Sequence, residues 1–468
     1  MKRDDLVHAI GEIDDDLILQ ADAPPKKTNA FRGWKRWGTV AACFVLLFAI
    51  LFPLGIRLAR RNAVGERLTY DLMEGIVPRQ RSGIPAPITN DAATAATDFA
   101  VRLFRTASDG ADNALLSPLS VLSALAMLTN GARDETLAQI ETAVGMTVGE
   151  MNDFFLSYLA GLSRGEKSEL TLSDSIWFRS DGSIEIDPAF LQTNADVYGA
   201  DAYGAPFDEG TLRKINEWVN EKTDGMIPSL LDEISRNAVL YLINALSFDA
   251  EWKQHFESDY VRTGDFKTGS GEIVTVSYMQ EINFHGTGTY YLADERAVGM
   301  YKYYDGEQYA FVALLPNEGI SVSDYLASLD GGKLRSLLSQ KQQPAELRVK
   351  IPKFEIKYET ELAGALAQMG MTDVFDSDCA DLSGIGRSPF GNLYLDCVIH
   401  KTFIAVNEKG TRAGATSALG IYGATADAEL KEVYLTRPFV YLLVDTRNFL
   451  PLFIGALNDP VNDAAPSP

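Results

Sequence analysis

The longest apolar run in the chain, Trp37–Ile56, carries no charge, and basic sequence bounds it on both sides. Its 20 positions, at a rise of 1.5 Å each, span about 30 Å, the thickness of a bilayer core. The run reads as one membrane-spanning helix, and Pro53 near its end is a kink that such helices tolerate. A cleaved signal peptide is the rival reading. Against it stand the 36 residues ahead of the run, and Arg57, Arg60 and Arg61 where a small-residue cleavage site would fall. Within residues 1–36, Leu6, Ile10, Ile13 and Leu17 recur at helical spacing, so an amphipathic helix is expected, with Asp14, Asp15 and Asp16 as a solvated run. Residues 57–89, rich in Arg, Gly and Pro, read as a tether.

Beyond the tether the periodicities are those of a folded domain. Asp91–Thr106 places Phe99, Leu103 and Phe104 at helical spacing, and Val121–Asn130 is apolar almost throughout, as a fully buried helix would be. Another helix is expected to start at Ile215, followed by Trp218 and Val219. Glu346–Tyr358 alternates as a strand, with Leu347, Val349 and Ile351 on one face. Past Pro352 the alternation resumes on the other parity with Phe354, Ile356 and Tyr358, which predicts a β-bulge. Helices come mainly first and strands later, an α+β arrangement. One segment fits neither period. From Gly410 to Ala428 nearly every residue is Gly, Ala, Ser or Thr, while β-rich sequence flanks it on both sides. A long loop of this kind inside a domain is uncommon and often functional; a flexible linker is the alternative.

Composition removes several classes of function. The net charge of -22 argues against nucleic-acid binding, which needs clustered Lys and Arg on phosphate. Three cysteines make no disulfide framework. Cys379 and Cys397 are expected as small, buried, inert thiols, a pair between them being the alternative. No GxSxG elbow, HExxH pair, P-loop or complete GxGxxG occurs, and the four histidines sit in no triad pattern. No cofactor and no metal are expected, and the chain does not read as an enzyme.

Several blocks together resemble the serpin family, from about residue 90 to about residue 460. They are Asn113–Ser120 with Ala124–Leu128, Leu242–Phe248 with Trp252 and Phe256, and Val349–Phe354 with Ala380–Gly384. Arg437-Pro438-Phe439 with Phe453–Pro460 and the run Asn407-Glu408-Lys409-Gly410-Thr411 complete the set. The resemblance implies the serpin fold, with large mixed or antiparallel sheets, about nine helices and an exposed reactive-centre loop. Preceded by a membrane helix, the chain is similar to a bacterial, membrane-anchored member. The expected organisation is a cytoplasmic tail 1–36, the span 37–56, a linker 57–89, the serpin domain 90–462 and a C-terminal tail 463–468. The N-terminal tail resembles short cytoplasmic heads of other bacterial membrane proteins. Basic residues flank the span on both sides, so charge decides little about orientation. A protease bait is most useful outside, which places the domain outside the cell.

In inhibitory serpins the loop is bait: a target serine protease cuts it, forms an acyl-enzyme, and is trapped as the cut loop inserts into the large sheet. Counting from Glu408, the resemblance points Thr411, Ala413, Ala415, Ser417, Leu419 and Ile421 inward, all small or apolar. Arg412 stands where the family usually has Glu, on the solvent-facing parity, and no proline interrupts Gly410–Gly423. The hinge is therefore Glu408, Gly410, Thr411, Ala413, Ala415 and Ser417. The scissile bond is expected at Ala424–Thr425, with Tyr422 and Asp427 as alternatives for the residue before the cut. Asn113, Ser117, Ser120, Asn244 and His400 match the family's shutter, and Trp252 matches the aromatic where insertion begins. The expected partner is an elastase-like or subtilisin-like protease, held covalently by a monomeric inhibitor. Glu150 and Asp153 occupy the segment where a heparin site would lie, so no polyanion activation is expected. A non-inhibitory serpin, acting as substrate, chaperone or binding protein, is the alternative.

Overall fold

The computed structural model describes residues 69–79, 85–108, 110–162, 167–235, 238–283, 288–411 and 430–461. The expected membrane span Trp37–Ile56, the N-terminal tail and the C-terminal tail 463–468 lie outside these residues. Among the described residues no helix is long and apolar enough to cross a membrane.

The first half supplies most of the helices. These are α1 (Asn90–Ala107), α2 (Pro118–Thr129), α3 (Asp134–Val144), α4 (Val148–Ala160), α5 (Pro188–Tyr198) and α6 (Glu209–Lys222). Three shorter ones follow: α7 (Val322–Ser328), α8 (Gly331–Ser339) and α9 (Ala363–Gln368). Helix α2 begins three residues ahead of the expected start. Pro118 occupies its first turn, where a missing N–H costs nothing, and the Ser117 hydroxyl caps it by accepting from Ser120 N. Helix α6 likewise starts before Ile215, because Asp208 caps it by accepting from Thr211 N.

The strands form three principal sheets. In the seven-stranded sheet the order is β1 (Tyr70–Asp71), β5 (Asp201–Ala205), β3 (Ser168–Arg179), β6 (Leu240–Glu251), β16 (Gly410–Thr411), β15 (Ile399–Val406) and β13 (Phe354–Glu361). A six-stranded sheet runs β2 (Ala114–Leu116), β19 (Leu450–Leu457), β18 (Phe439–Asp445), β11 (Tyr309–Pro316), β10 (Ala297–Tyr303) and β9 (Thr289–Ala293). Strands β11, β18 and β19 are buried at every position, so they read as continuous apolar runs rather than as alternation. A four-stranded sheet orders β17 (Leu430–Tyr434), β12 (Glu346–Pro352), β8 (Ile273–Asn283) and β7 (Arg262–Lys267). Two short strands, β4 (Glu185–Ile186) and β14 (Gly386–Arg387), pair separately.

The parity change at Pro352 is not a bulge. Strand β12 belongs to the four-stranded sheet and β13 to the seven-stranded one, with Lys353 alone between them. The chain turns a corner there, and Lys353 N makes its bond to Ser277 O at 2.8 Å. The buried face changes because the sheet changes. Part of the expected tether also has a fixed place. Tyr70 and Asp71 pair with β5 at the edge of the seven-stranded sheet, and the Tyr70 ring covers Gly204, where a Cβ would not fit.

Candidate functional site

The two sides of a seam in the seven-stranded sheet carry the candidate site. Strands β6 and β15 are both antiparallel to the two-residue β16, which lies between their upper ends. Among the described residues, no ladder joins β6 directly to β15 below Thr411. Alongside the lower seam lies an apolar cavity lined by Leu125, Leu242, Ile243, Leu395, Val398 and Ile399.

At the upper end the chain leaves β15 through a tight turn. Asn407 Oδ1 accepts from Lys409 N at 2.9 Å and from Gly410 N at 3.3 Å. Trp252 Nε1 donates to Asn407 O at 2.8 Å, Trp252 N to Lys409 O at 2.8 Å, and Phe256 N to Glu408 O at 2.9 Å. Three consecutive hinge carbonyls are therefore held from the end of β6. Gly410 then passes so close to that strand that a Cβ would sit 2.0 Å from Ala250 O. Only glycine fits this approach. Thr411 is 2% exposed and points inward, its hydroxyl 2.5 Å from the Tyr304 hydroxyl. Tyr304 stacks on Trp252 with centroids 4.5 Å apart. The Glu408 carboxylate pairs with Lys353 Nζ at 2.7 Å. Burial pushes the Glu408 carboxyl up, but the Lys353 ammonium and the local backbone outweigh it, and its pKa ends below the usual range.

Lower in the seam, the loop before α2 meets β15, and α2 itself meets β6. Ser117 N donates to His400 Nε2 at 3.0 Å. His400 is thus an acceptor, and burial pulls its pKa down to about 4, which keeps the ring neutral. The Ser120 hydroxyl donates to Asn244 Oδ1. Asn244 Nδ2 donates to Asp174 Oδ1 at 2.5 Å, and Ser123 Oγ to Asp174 Oδ2 at 3.0 Å. Thr402 Oγ1 donates to Leu115 O at 2.8 Å.

Ser117, Ser120, Asn244 and His400 are thus brought together. Asn113 is buried and binds the end of β19: its Nδ2 donates to Asp459 O at 2.6 Å and its Oδ1 accepts from Asn458 N and Asp459 N. Glu408, Gly410, Thr411 and Trp252 gather at the upper end. Ala413, Ala415, Ser417, Ala424 and Thr425 lie outside the described residues. Sequence reasoning missed Asp174, Ser123, Tyr304 and Lys353. For Lys353 the signal was the parity change itself, which marks a corner, and a corner beside the hinge puts a cation within reach of Glu408. Nothing local distinguishes Asp174 or Tyr304. Cys379 is exposed rather than buried, and both it and Cys397 are free. Burial pushes the Cys397 thiol up to about 11.

A large sheet in which a two-residue strand lies between β6 and β15, followed by an 18-residue segment rich in small residues before β17, is the architecture expected of a serpin. The family model described as Serpin (serine protease inhibitor) matches residues 94–460, and the chain belongs to that family. Among curated relatives, the leukocyte elastase inhibitor of Equus caballus is 30% identical over 382 residues, covering 78% of this chain and 99% of its own. The Homo sapiens protein of the same name is 30% identical over 383 residues, with the same coverage of 78% and 99%. Among solved structures, the thermophilic serpin tengpin in its native state is 38% identical with a TM-score of 0.78, covering 84% of this chain and 99% of that one. Tengpin in its latent state gives 0.70 at 37% identity, covering 80% and 99%. The family is described as one of serine protease inhibitors, whose partners are serine proteases.

Proposed function

We propose that this chain is a suicide-substrate inhibitor of an elastase-like or subtilisin-like serine protease. The observation that carries the reading is the seated strand Gly410–Thr411. Its register fixes where the rest of the loop would go. Continued downward, it sets Ala413 opposite Phe248, Ala415 opposite Leu246, and Ser417 between Asn244 on β6 and His400 on β15. Ile421 then reaches Leu240, the first residue of β6, so the loop's small-residue run matches the strand it would pair with. The inward positions are small or apolar throughout, and no proline removes a donor from the ladder.

The chemistry belongs to the target. Its serine oxygen attacks the carbonyl carbon before the cut, and the peptide C–N bond breaks. The new amino terminus at Thr425 departs with β17, while the acyl group stays on the protease. Insertion of the freed loop then adds pairing on both sides of the seam, which is the stored driving force. If this outpaces hydrolysis of the ester, the protease is trapped. Ala424 before the cut suits a shallow pocket, as in elastase-like enzymes, and the relatives named for elastase support that class. Mixing the full chain, in mild detergent, with such a protease should give a band near the summed mass on a denaturing gel. Complete cleavage with undiminished protease activity would instead make the protein a substrate, as in a non-inhibitory serpin.

The same reading includes the anchor. Trp37–Ile56 holds the domain to the membrane with residues 1–36 inside the cell and the domain outside as a monomeric surface guard. Protease added to intact cells should cut between Gly410 and Asp427 without lysis; protection until lysis would reverse the orientation.

A further inference from the structure

Asp174 is a carboxyl group in a gate otherwise built from neutral side chains. It lies on β3, 4% exposed, and both its oxygens are engaged, one by Asn244 and the other by Ser123. Among the described residues no Lys, Arg or His pairs with it. The groups that face it are Asn244 from β6, Ser123 from α2 and the Tyr198 phenol from α5. An ionised carboxylate only accepts hydrogen bonds. It therefore draws the Asn244 amide nitrogen to itself and turns Oδ1 toward Ser120, which gives the chain from α2 to β3 one direction. Asn244 is also the residue past which the inserting strand must travel.

We propose that Asp174 is a positioning residue for loop insertion: as a carboxylate it holds Asn244, and with it the β6 side of the gate, closed, and on protonation it releases them. This rests on the inhibitory reading above.

Burial puts the change near neutrality. Desolvation pushes Asp174 up to about 6, against the pull of the Asn244 and Ser123 hydrogen bonds. His400, which burial holds down at about 4, stays neutral through that window. Tyr198, pushed by burial well above the usual phenol range, stays neutral as well. Opening the gate withdraws the Asn244 donor from a carboxyl group that stays buried. Asp174 then binds its proton more tightly in the open gate than in the closed one, so acid favours opening. Charge-assisted hydrogen bonds are about twice as strong as neutral ones, a difference worth about tenfold in rate. Insertion of the uncut loop should be fast and flat below the Asp174 pKa of about 6, and slower by about tenfold above it.

The full chain in mild detergent, warmed without protease across about pH 5 to 8, reports this rate. Insertion is read as gained thermal stability together with loss of cleavage between Gly410 and Asp427. Asp174→Asn should flatten the profile. Ser123→Ala, which removes one donor from the carboxylate, should move the midpoint to higher pH, a shift that a purely structural role would not produce. Should Asp174→Asn fail to fold, Ser123→Ala carries the test. Insertion that keeps its pH profile in these variants, or a wild-type rate that is flat or rises with pH, overturns this inference alone. A chain that gains no stability at any pH, even after the loop is cut, overturns the inhibitory reading and this inference with it.

Discussion

The two ends of the β6–β15 seam solve the same problem by different means. At the upper end a strand is present, and backbone groups of Asn407, Glu408 and Lys409 are tied to Trp252 and Phe256. About 20 Å down β6, six residues from Ala250, no described strand lies between β6 and β15, and side chains link the elements there through Ser120, Asn244 and Asp174. The difference bears on metastability. Backbone pairing at the top survives insertion, because the inserted strand simply extends it. The side-chain chain at the gate must be broken for the strand to pass. The upper end therefore sets where insertion starts, and the lower end sets how fast it proceeds.

The largest effect should come from charge placed where the upper strand turns inward. Thr411→Arg would bury a guanidinium against Tyr304 and Trp252 without a counter-charge, at a cost of several kcal/mol. The arginine would unseat the Gly410–Thr411 strand, and insertion would then have to bury it; slower insertion lets the acyl-enzyme hydrolyse, so the protein should be cut as a substrate and leave the protease active on a gel and in a turnover assay. Arg412→Glu, one residue on and on the solvent-facing parity, should change little. Equal damage from both would show that the inward parity is assigned to the wrong residues.

Asn244→Ala tests the lower end. It removes the donor to Asp174 Oδ1 and the acceptor of Ser120 at once. Two buried groups lose a partner, which should cost the native form about 2–3 kcal/mol above neutral pH, read from urea or thermal unfolding. Asp174 already has a raised pKa of about 6, and losing a donor to the ionised form raises it further. Below that pKa the carboxyl is protonated in both proteins, so the deficit should shrink in acid. A deficit independent of pH would mean that Asp174 is not ionised in the native gate.

The upper end was far more legible in the sequence than the lower one, and the reason is physical. Gly410, Thr411 and the small residues after them stand in one contiguous run, so once the resemblance sets Thr411 inward, parity assigns the remaining faces. Trp252, Ser117 and His400 could be placed by resemblance. Asp174 could not, because its role depends on β3 lying beside β6 with Asp174 opposite Asn244, a register that no local pattern prints. The corner at Lys353 was misread for a related reason. Alternation shows that a buried face has changed, but a bulge and a change of sheet leave the same trace in the sequence. Asn113, matched to the gate by type and spacing, also ties the start of β2 to the end of β19, a link that spans most of the chain and that no local pattern shows.

The smallest expected effect lies at the Glu408–Lys353 pair. Its side chains keep about a quarter to a third of their surface in water, 23% for Glu408 and 36% for Lys353. Solvent screening then limits such a pair to at most about 1 kcal/mol. Lys353→Ala should lower native stability by about 0.5 kcal/mol, and the difference should fade at high salt. Its pH dependence has a definite sign. The Glu408 pKa is depressed in the folded protein below its ordinary value of 4.5. Its contribution is thus present above 4.5, the unfolded value, and is lost as pH falls through the lower folded value. Wild type and Lys353→Ala should therefore differ at neutral pH and converge in acid. Because the pair joins the hinge to the corner between two sheets, losing it should also loosen the seated strand. Faster spontaneous insertion in Lys353→Ala, with Asn244 and Asp174 intact, would show that the upper end limits the rate as well. An unchanged rate would leave rate control at the lower gate.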